Sequence, residues 1–124
     1  QNANDLPLVL RIDLDGALIL NTSDLTGSYE RYAAAPCDVL KVAHHGSRDS
    51  SGEEFLAFVS PKLALISCSS TSRSLPGAET LERLAAQNIP VLRTDQSGDV
   101  TLFVENGRLQ VRPYRLRSLP GGIE

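Results

Sequence analysis

Two histidines stand side by side in this sequence, His44 and His45, and the chain has no others. They follow an apolar, branched stretch, Asp38-Val-Leu-Lys-Val-Ala43, and precede Gly46 and Ser47. A strand that runs into a Gly-Ser loop delivers side chains to the carboxyl end of a sheet, where α/β folds gather binding and catalytic groups. Successive residues at a strand end point in opposite directions. One imidazole could then face a metal ion while the other reaches a substrate. An exposed polar turn is the plainer account of the same pair. Asp24 closes a second polar loop, Asn21-Thr-Ser-Asp24, after another apolar strand. A carboxylate there could ligate or bridge hard divalent cations, or cap a helix that starts at Leu25. Local sequence leaves those two roles level. Cys37 and Cys68 offer no metal-ligand spacing and read as small buried residues.

The elements that must hold these groups are marked by turn residues and apolar spacing. Residues 6–13 predict a strand, Asp15-Gly16 a tight turn, and residues 17–20 a second strand. Leu8, Leu10 and Ile12 share one face. Residues 25–35 predict a helix that Pro36 ends. A strand over 38–43 leads into the histidines, and 48–52 is a polar loop. Phe55, Leu56 and Val59 have helical spacing over 53–59, and Ser60-Pro61 stops that helix. The unbroken apolar run 63–68 predicts a buried strand. A serine-rich loop, 69–76, contains Arg73. Residues 78–87 predict a helix with Leu81 and Leu84 on one face, and Asn88 suits its end. A short strand follows at 91–93. Two more, 100–104 and 109–114, flank an Asn106-Gly107 hairpin turn. Residues 115–124 read as a loose tail. Strands that alternate with helices imply an α/β chain, a sheet with helices packed on it.

Composition limits the function classes. The chain has 124 residues, 41% of them apolar and 22% charged, which is one small soluble domain and not a disordered chain. No apolar run approaches the ~20 residues of a membrane helix, and the polar first seven residues are no signal peptide. A net charge of −3 and a pI near 5.3 disfavour a nucleic-acid binder driven by charge, though not a local basic patch. Arg108, Arg112, Arg115 and Arg117 could touch phosphates, but solvent-facing strand positions account for them more simply. Three Phe, three Tyr and no Trp give little support to a base-stacking platform. The absence of Met leads to the expectation that the chain is a piece of something longer.

Taken in order, the motifs carry a family resemblance. Asp38-Val-Leu-Lys-Val-Ala-His-His-Gly-Ser47, followed by Ser50-Ser51 and the helix at Phe55, resembles the late part of a metallo-β-lactamase-fold hydrolase. It is most similar to the hydrolase domain of the bacterial competence DNA-uptake channel family, ComEC. The similarity continues through Ser60-Pro-Lys-Leu-Ala-Leu-Ile-Ser67, the helix at Leu81, and Val91-Leu-Arg-Thr-Asp95 with Gly98 after it. Upstream it includes Leu8-Val-Leu-Arg-Ile12 and Leu18-Ile-Leu-Asn-Thr-Ser-Asp-Leu25. It spans residues 5 to 112.

The resemblance implies a fold and a chemistry. The fold would be half of a metallo-β-lactamase αββα sandwich, a mixed β-sheet with helices on one face, with residues 1–114 as the C-terminal portion of the domain. The family hydrolyses phosphodiesters with two divalent ions, zinc or manganese, which generate hydroxide and stabilise developing charge. By resemblance, Asp24 matches the metal-bridging carboxylate and His45 the late metal-ligand histidine, in preference to His44. His44 matches the neighbour that contacts a substrate phosphate. Ser47 and Arg73 are candidates for substrate binding, with turn bonding and a solvated loop arginine as their simpler readings. The family's His-x-His-x-Asp-His ligand loop is absent and would precede Gln1, so the chain alone is expected to be inactive. Ser23 stands where the family has Gly, and Ser74-Leu-Pro-Gly-Ala78 lacks a substrate-contacting His of the family.

The implied partners are DNA, and either the remaining half of the domain or a second copy of the chain covering an apolar, unprotected sheet face. The implied setting is bacterial, a soluble domain of an integral inner-membrane protein. Two other readings stay open: a degenerate, non-catalytic module for assembly or DNA guidance, and a hydrolase of small phosphodiesters.

Overall fold

Asp15 and Gly16 both adopt positive φ, 48° and 95°, which bends the first two strands into a tight hairpin. The Asp13 carboxylate accepts the Gly16 N–H at 2.7 Å and fixes that turn. The computed structural model describes residues 8–25, 27–72 and 74–115. In it β1 (Leu10–Leu14) pairs antiparallel with β2 (Ala17–Asn21). Strands β3 (Val39–Lys41), β4 (Leu63–Ile66) and β5 (Val91–Arg93) then add in parallel, giving one mixed sheet in the order β1-β2-β3-β4-β5. The helices are α1 (Glu30–Ala33), α2 (Glu53–Val59), α3 (Ala78–Ala86) and the single turn α4 (Thr94–Ser97). A separate hairpin, β6 (Val100–Glu105) and β7 (Arg108–Pro113), turns at Asn106-Gly107. The chain is therefore α/β, with a mixed five-stranded sheet plus helices.

Alternation along the strands divides the core into two layers. On one face Leu20, Leu40, Ala64 and Ile66 pack against Phe55, Leu56 and Val59 of α2 and Leu84 of α3. On the other, Val39, Leu63 and Leu92 pack against Val100, Leu102, Leu109 and Val111 of the hairpin. That second face was expected to be bare, and the hairpin covers its centre. The uncovered part lies at the β1 end, where Leu10 and Ile12 remain 44% and 42% exposed.

Three local expectations are corrected. The helix over 25–35 shrinks to a 3-10 turn, Gly27–Tyr29, and one turn of α1. Ala34 already has extended geometry, ψ 123°, one residue before Ala35, the position that Pro36 biases away from the helical region. The strand before the histidines ends at Lys41, because residues 43–46 curl into a turn. The α4 turn was not foreseen, since four residues carry no readable period. Leu6 and Pro7 of the first predicted strand, Arg73, and tail residues 116–124 lie outside the described residues. Arg115 donates its N–H to Ser97 O at 2.8 Å.

Candidate functional site

Parallel pairing of β2 to β5 sends four loops to the same end of the sheet. Asp24 follows β2, His44 and His45 follow β3, Ser67 and Cys68 follow β4, and Thr94 and Asp95 follow β5. Hydrogen bonds join these loops edge to edge. The His44 N–H donates to Ser23 O at 2.8 Å. His45 Nδ1 lies 2.7 Å from Ser67 O. The Thr94 hydroxyl accepts the Cys68 N–H at 2.9 Å and donates to Cys68 O at 3.1 Å.

The histidines do not alternate as strand residues would. His44 (φ 56°, ψ 38°) and His45 (φ 54°, ψ 31°) are both left-handed, and Gly46 follows at φ 79°. Each such non-glycine residue costs about 1–3 kcal/mol and persists only where its surroundings fix it. Here they do. The Ser47 N–H bonds His44 O at 3.0 Å. The Ser50 hydroxyl reaches Ala43 O and Ser47 O at 3.0 and 2.8 Å. From α3, the Thr80 hydroxyl donates to Ser47 O at 2.7 Å. Arg83 donates to the carbonyls of Arg48, Ser50 and Ser51 at 2.7 to 3.0 Å. The buried Glu30 carboxylate accepts the N–H groups of Ser51 and Gly52. Gly46 is packed so closely that a Cβ there would sit 2.6 Å from Pro76 Cβ.

A carbonyl only accepts, so Ser67 O selects the His45 tautomer with its proton on Nδ1. In the neutral ring Nε2 is then the unprotonated nitrogen, the arrangement that metal-ligating histidines use. His45 is exposed and lines a cleft of about 370 Å³ with Ser67, Cys68 and Ser69. His44 and Asp24 are exposed as well. Asp24 does not cap α1, which begins after Tyr29 without a side-chain cap. Its loop is shaped by Asn21 Oδ1, which accepts the Ser23 N–H at 3.1 Å, and Ser23 is left-handed at φ 51°. Ser47 is occupied with turn bonding, through its carbonyl and a long 3.4 Å contact from the Asp49 N–H to its hydroxyl.

Lys41 was missed from sequence. It is half-buried at the end of β3, and burial pushes its ammonium pKa down while the Asp24 charge pulls it up. A lysine inside the otherwise apolar run 39–43 was the available signal. Burial raises Cys37 to about 11 and raises Cys68 too, so neither is a ready thiolate ligand near neutral pH. Among the described residues no three His, Cys, Asp or Glu side chains converge to hold a metal ion. Asp24 and His45 follow the neighbouring strands β2 and β3, and a metal held there would need donors from outside the described residues.

Behind β5, Arg93 forks onto Asp95 with contacts of 3.1 and 2.7 Å, and the two side chains are 26% and 11% exposed. The Arg93 hydrogen bond holds the Asp95 carboxyl below the usual carboxylate range. A carboxyl depressed on folding stabilises the fold above its unfolded pKa of about 3.9 and loses that contribution as pH falls through the folded value. Asp95→Asn is therefore expected to flatten the acid limb of stability against pH, with little change in its shape above pH 5. Urea midpoints across that range check this.

No family model matches the chain. It is 37% identical over 118 residues to ComE operon protein 3 of Bacillus subtilis, covering 89% of this chain and 15% of that protein. It is 35% identical over 121 residues to competence protein ComA of Neisseria gonorrhoeae, covering 92% and 17%. Recombination protein 2 of Haemophilus influenzae is 31% identical over 121 residues, covering 94% and 15%. The chain thus spans 15% to 17% of the length of the curated relatives it matches. Over about nine tenths of its own length, this chain is homologous to one segment of the competence proteins of the ComEC family.

Proposed function

We propose that the chain is part of a metal-dependent phosphodiesterase of nuclease type that acts on DNA during uptake in bacterial competence. In this reading it forms the C-terminal half of a metallo-β-lactamase αββα sandwich within a larger inner-membrane protein. The missing half covers the open β1 end of the sheet face. The observation that supports it most is His45, whose Nδ1 is held by Ser67 O, on a loop bonded to the Asp24 loop. Asp24 and His45 would hold a zinc or manganese ion together with donors outside this chain. When bound, the metal supplies an activated water and stabilises charge on the displaced oxygen. His44 contacts the substrate phosphate, and Ser47 shapes the turn. Arg73, the other candidate phosphate contact, lies outside the described residues.

A non-catalytic module is the second reading. It is favoured by Ser23, which carries a Cβ at a left-handed position where glycine is the unstrained choice.

The test is metal-dependent DNA cleavage. The complete domain, with its upstream half, is expected to cut DNA in manganese or zinc and to lose that activity with Asp24→Asn or His45→Ala. The present chain alone is expected to show none. Full activity of the Asp24→Asn domain, or cleavage by the isolated chain that Asp24→Ala abolishes, would sink the proposal. A complete domain that binds no metal would favour the second reading.

A further inference from the structure

On the helix side of the sheet, β1 and α1 enclose a groove of about 680 Å³ lined by Val9, Arg11, Leu25, Tyr29 and Tyr32. Tyr29 and Tyr32 stand three residues apart and so share one face of the turn. Their ring centroids are 6.4 Å apart, with planes tilted by 37°. The Arg31 guanidinium lies over the Tyr32 ring, 4.8 Å from its centroid, and donates to the Tyr32 hydroxyl at 2.8 Å. Tyr32 is nevertheless 72% exposed. Among the described residues no carboxylate lines this groove. Glu30, Glu53 and Glu54 line a neighbouring cleft, with Arg31, Phe55 and Phe58. A chain of net charge −3 thus keeps an aromatic groove that no described carboxylate lines, with Arg11 in its wall and Arg31 over the Tyr32 ring.

That combination matches one ligand chemistry. Aromatic faces accept unpaired bases of any sequence, and guanidinium groups pair with phosphates. Paired bases inside a duplex offer no free face. The groove also leads to the candidate site. Leu10 pairs with Asn21, so Val9 lies at the same sheet end as Asp24, and Leu25 is bonded to Thr22 within the Asp24 loop.

We propose that this groove binds single-stranded DNA, with a base stacked on Tyr32 and the neighbouring phosphates held by Arg11 and Arg31. The inference rests on the DNA reading above and names where the strand lies. It also revises the expectation drawn from composition, because two of the three tyrosines are gathered in one place.

With no tryptophan in the chain, tyrosine fluorescence reports directly on stacking. Titration with a short oligothymidine at low salt is expected to quench it. Two phosphate contacts predict a log–log salt slope of about −1.4. An abasic oligonucleotide of the same length is expected to bind roughly tenfold more weakly. Tyr32→Ala should lose as much affinity and most of the quenching, and Arg11→Gln should lower the salt slope by about 0.7. The abasic comparison uses the unaltered chain, so it does not depend on any variant folding.

Equal binding of abasic and base-bearing strands, equal quenching by duplex, or no binding at all overturns the proposal. So does self-association that Tyr32→Ala abolishes without DNA binding, which would assign the groove to a second copy. Strand binding that Tyr32→Ala leaves unchanged sinks the groove alone. The nuclease reading fails separately, on the Asp24→Asn cleavage assay.

Discussion

Gly46→Ala is expected to destabilise the fold by about 2–5 kcal/mol, the sum of a left-handed penalty and an overpacking penalty. The first part arises because Gly46 has φ 79°, where a Cβ meets its own backbone. The second arises because that Cβ would lie 2.6 Å from Pro76 Cβ and 3.2 Å from Pro76 Cα. Neither neighbour is the free end of a flexible side chain. Gly107 separates the two parts. It is also left-handed, at φ 75°, but a Cβ there meets nothing within 4 Å. Gly107→Ala should therefore cost only the backbone share, about 1–2 kcal/mol. Urea unfolding measures both, with a lower midpoint and an unchanged slope marking a pure stability effect. Equal losses at the two positions would show that the approach of Pro76 contributes nothing. The prediction bears on the site because Gly46 completes the left-handed run begun by His44 and His45. A turn that relaxes there moves the His45 ring off Ser67 O and removes the contact that selects its tautomer.

Glu30→Gln is expected to cost about 2–4 kcal/mol, since it breaks hydrogen bonds to a buried charged group. Glu30 is 5% exposed. One carboxylate oxygen takes the Ser51 N–H and the other takes the Gly52 N–H at 3.0 Å. Gly52 is the N-cap residue of α2, so this carboxylate satisfies donors at a helix start from a neighbouring element. Glutamine keeps the shape but turns an NH2 group toward one of those donors. The penalty then comes from an unmade bond at a site closed to water. Glu53 is exposed, and Glu53→Gln should stay within about 0.5 kcal/mol. If the two variants unfold at the same urea concentration, the buried clasp does not stabilise the loop. A Glu30→Gln chain that is stable but nicked by protease at residues 48–51 would locate the effect in the turn that carries the histidines.

Much of the framework was written in local chemistry. The Asp15-Gly16 and Asn106-Gly107 turns adopt the positive φ their residues permit, and the strands they join pair as their alternation demands. The Phe55, Leu56 and Val59 pattern placed α2, and the unbroken run at 63–68 placed β4, buried on both faces. Where the signal was weak, the result departed. The 25–35 segment had little periodicity, and most of it became turn and extended chain.

Residue type and spacing singled out His44, His45 and Asp24 as candidates, and the family resemblance supplied the roles expected of them. Parallel order then brought their loops to one end of the sheet, a consequence of strand-helix alternation and so legible in advance. The conformation of the two histidines was not legible. Nothing in the pair requires two left-handed residues, and they are held so by Thr80 and Arg83, more than thirty positions away. Nor was the burial of Glu30 against Ser51, or the gathering of Tyr29, Tyr32 and Arg11 around one groove. A sequence carries its turns and periods locally, because they follow from each residue's own sterics and hydrophobicity. Distant contacts such as these depend on how helices settle on the sheet, and only the folded chain decides that.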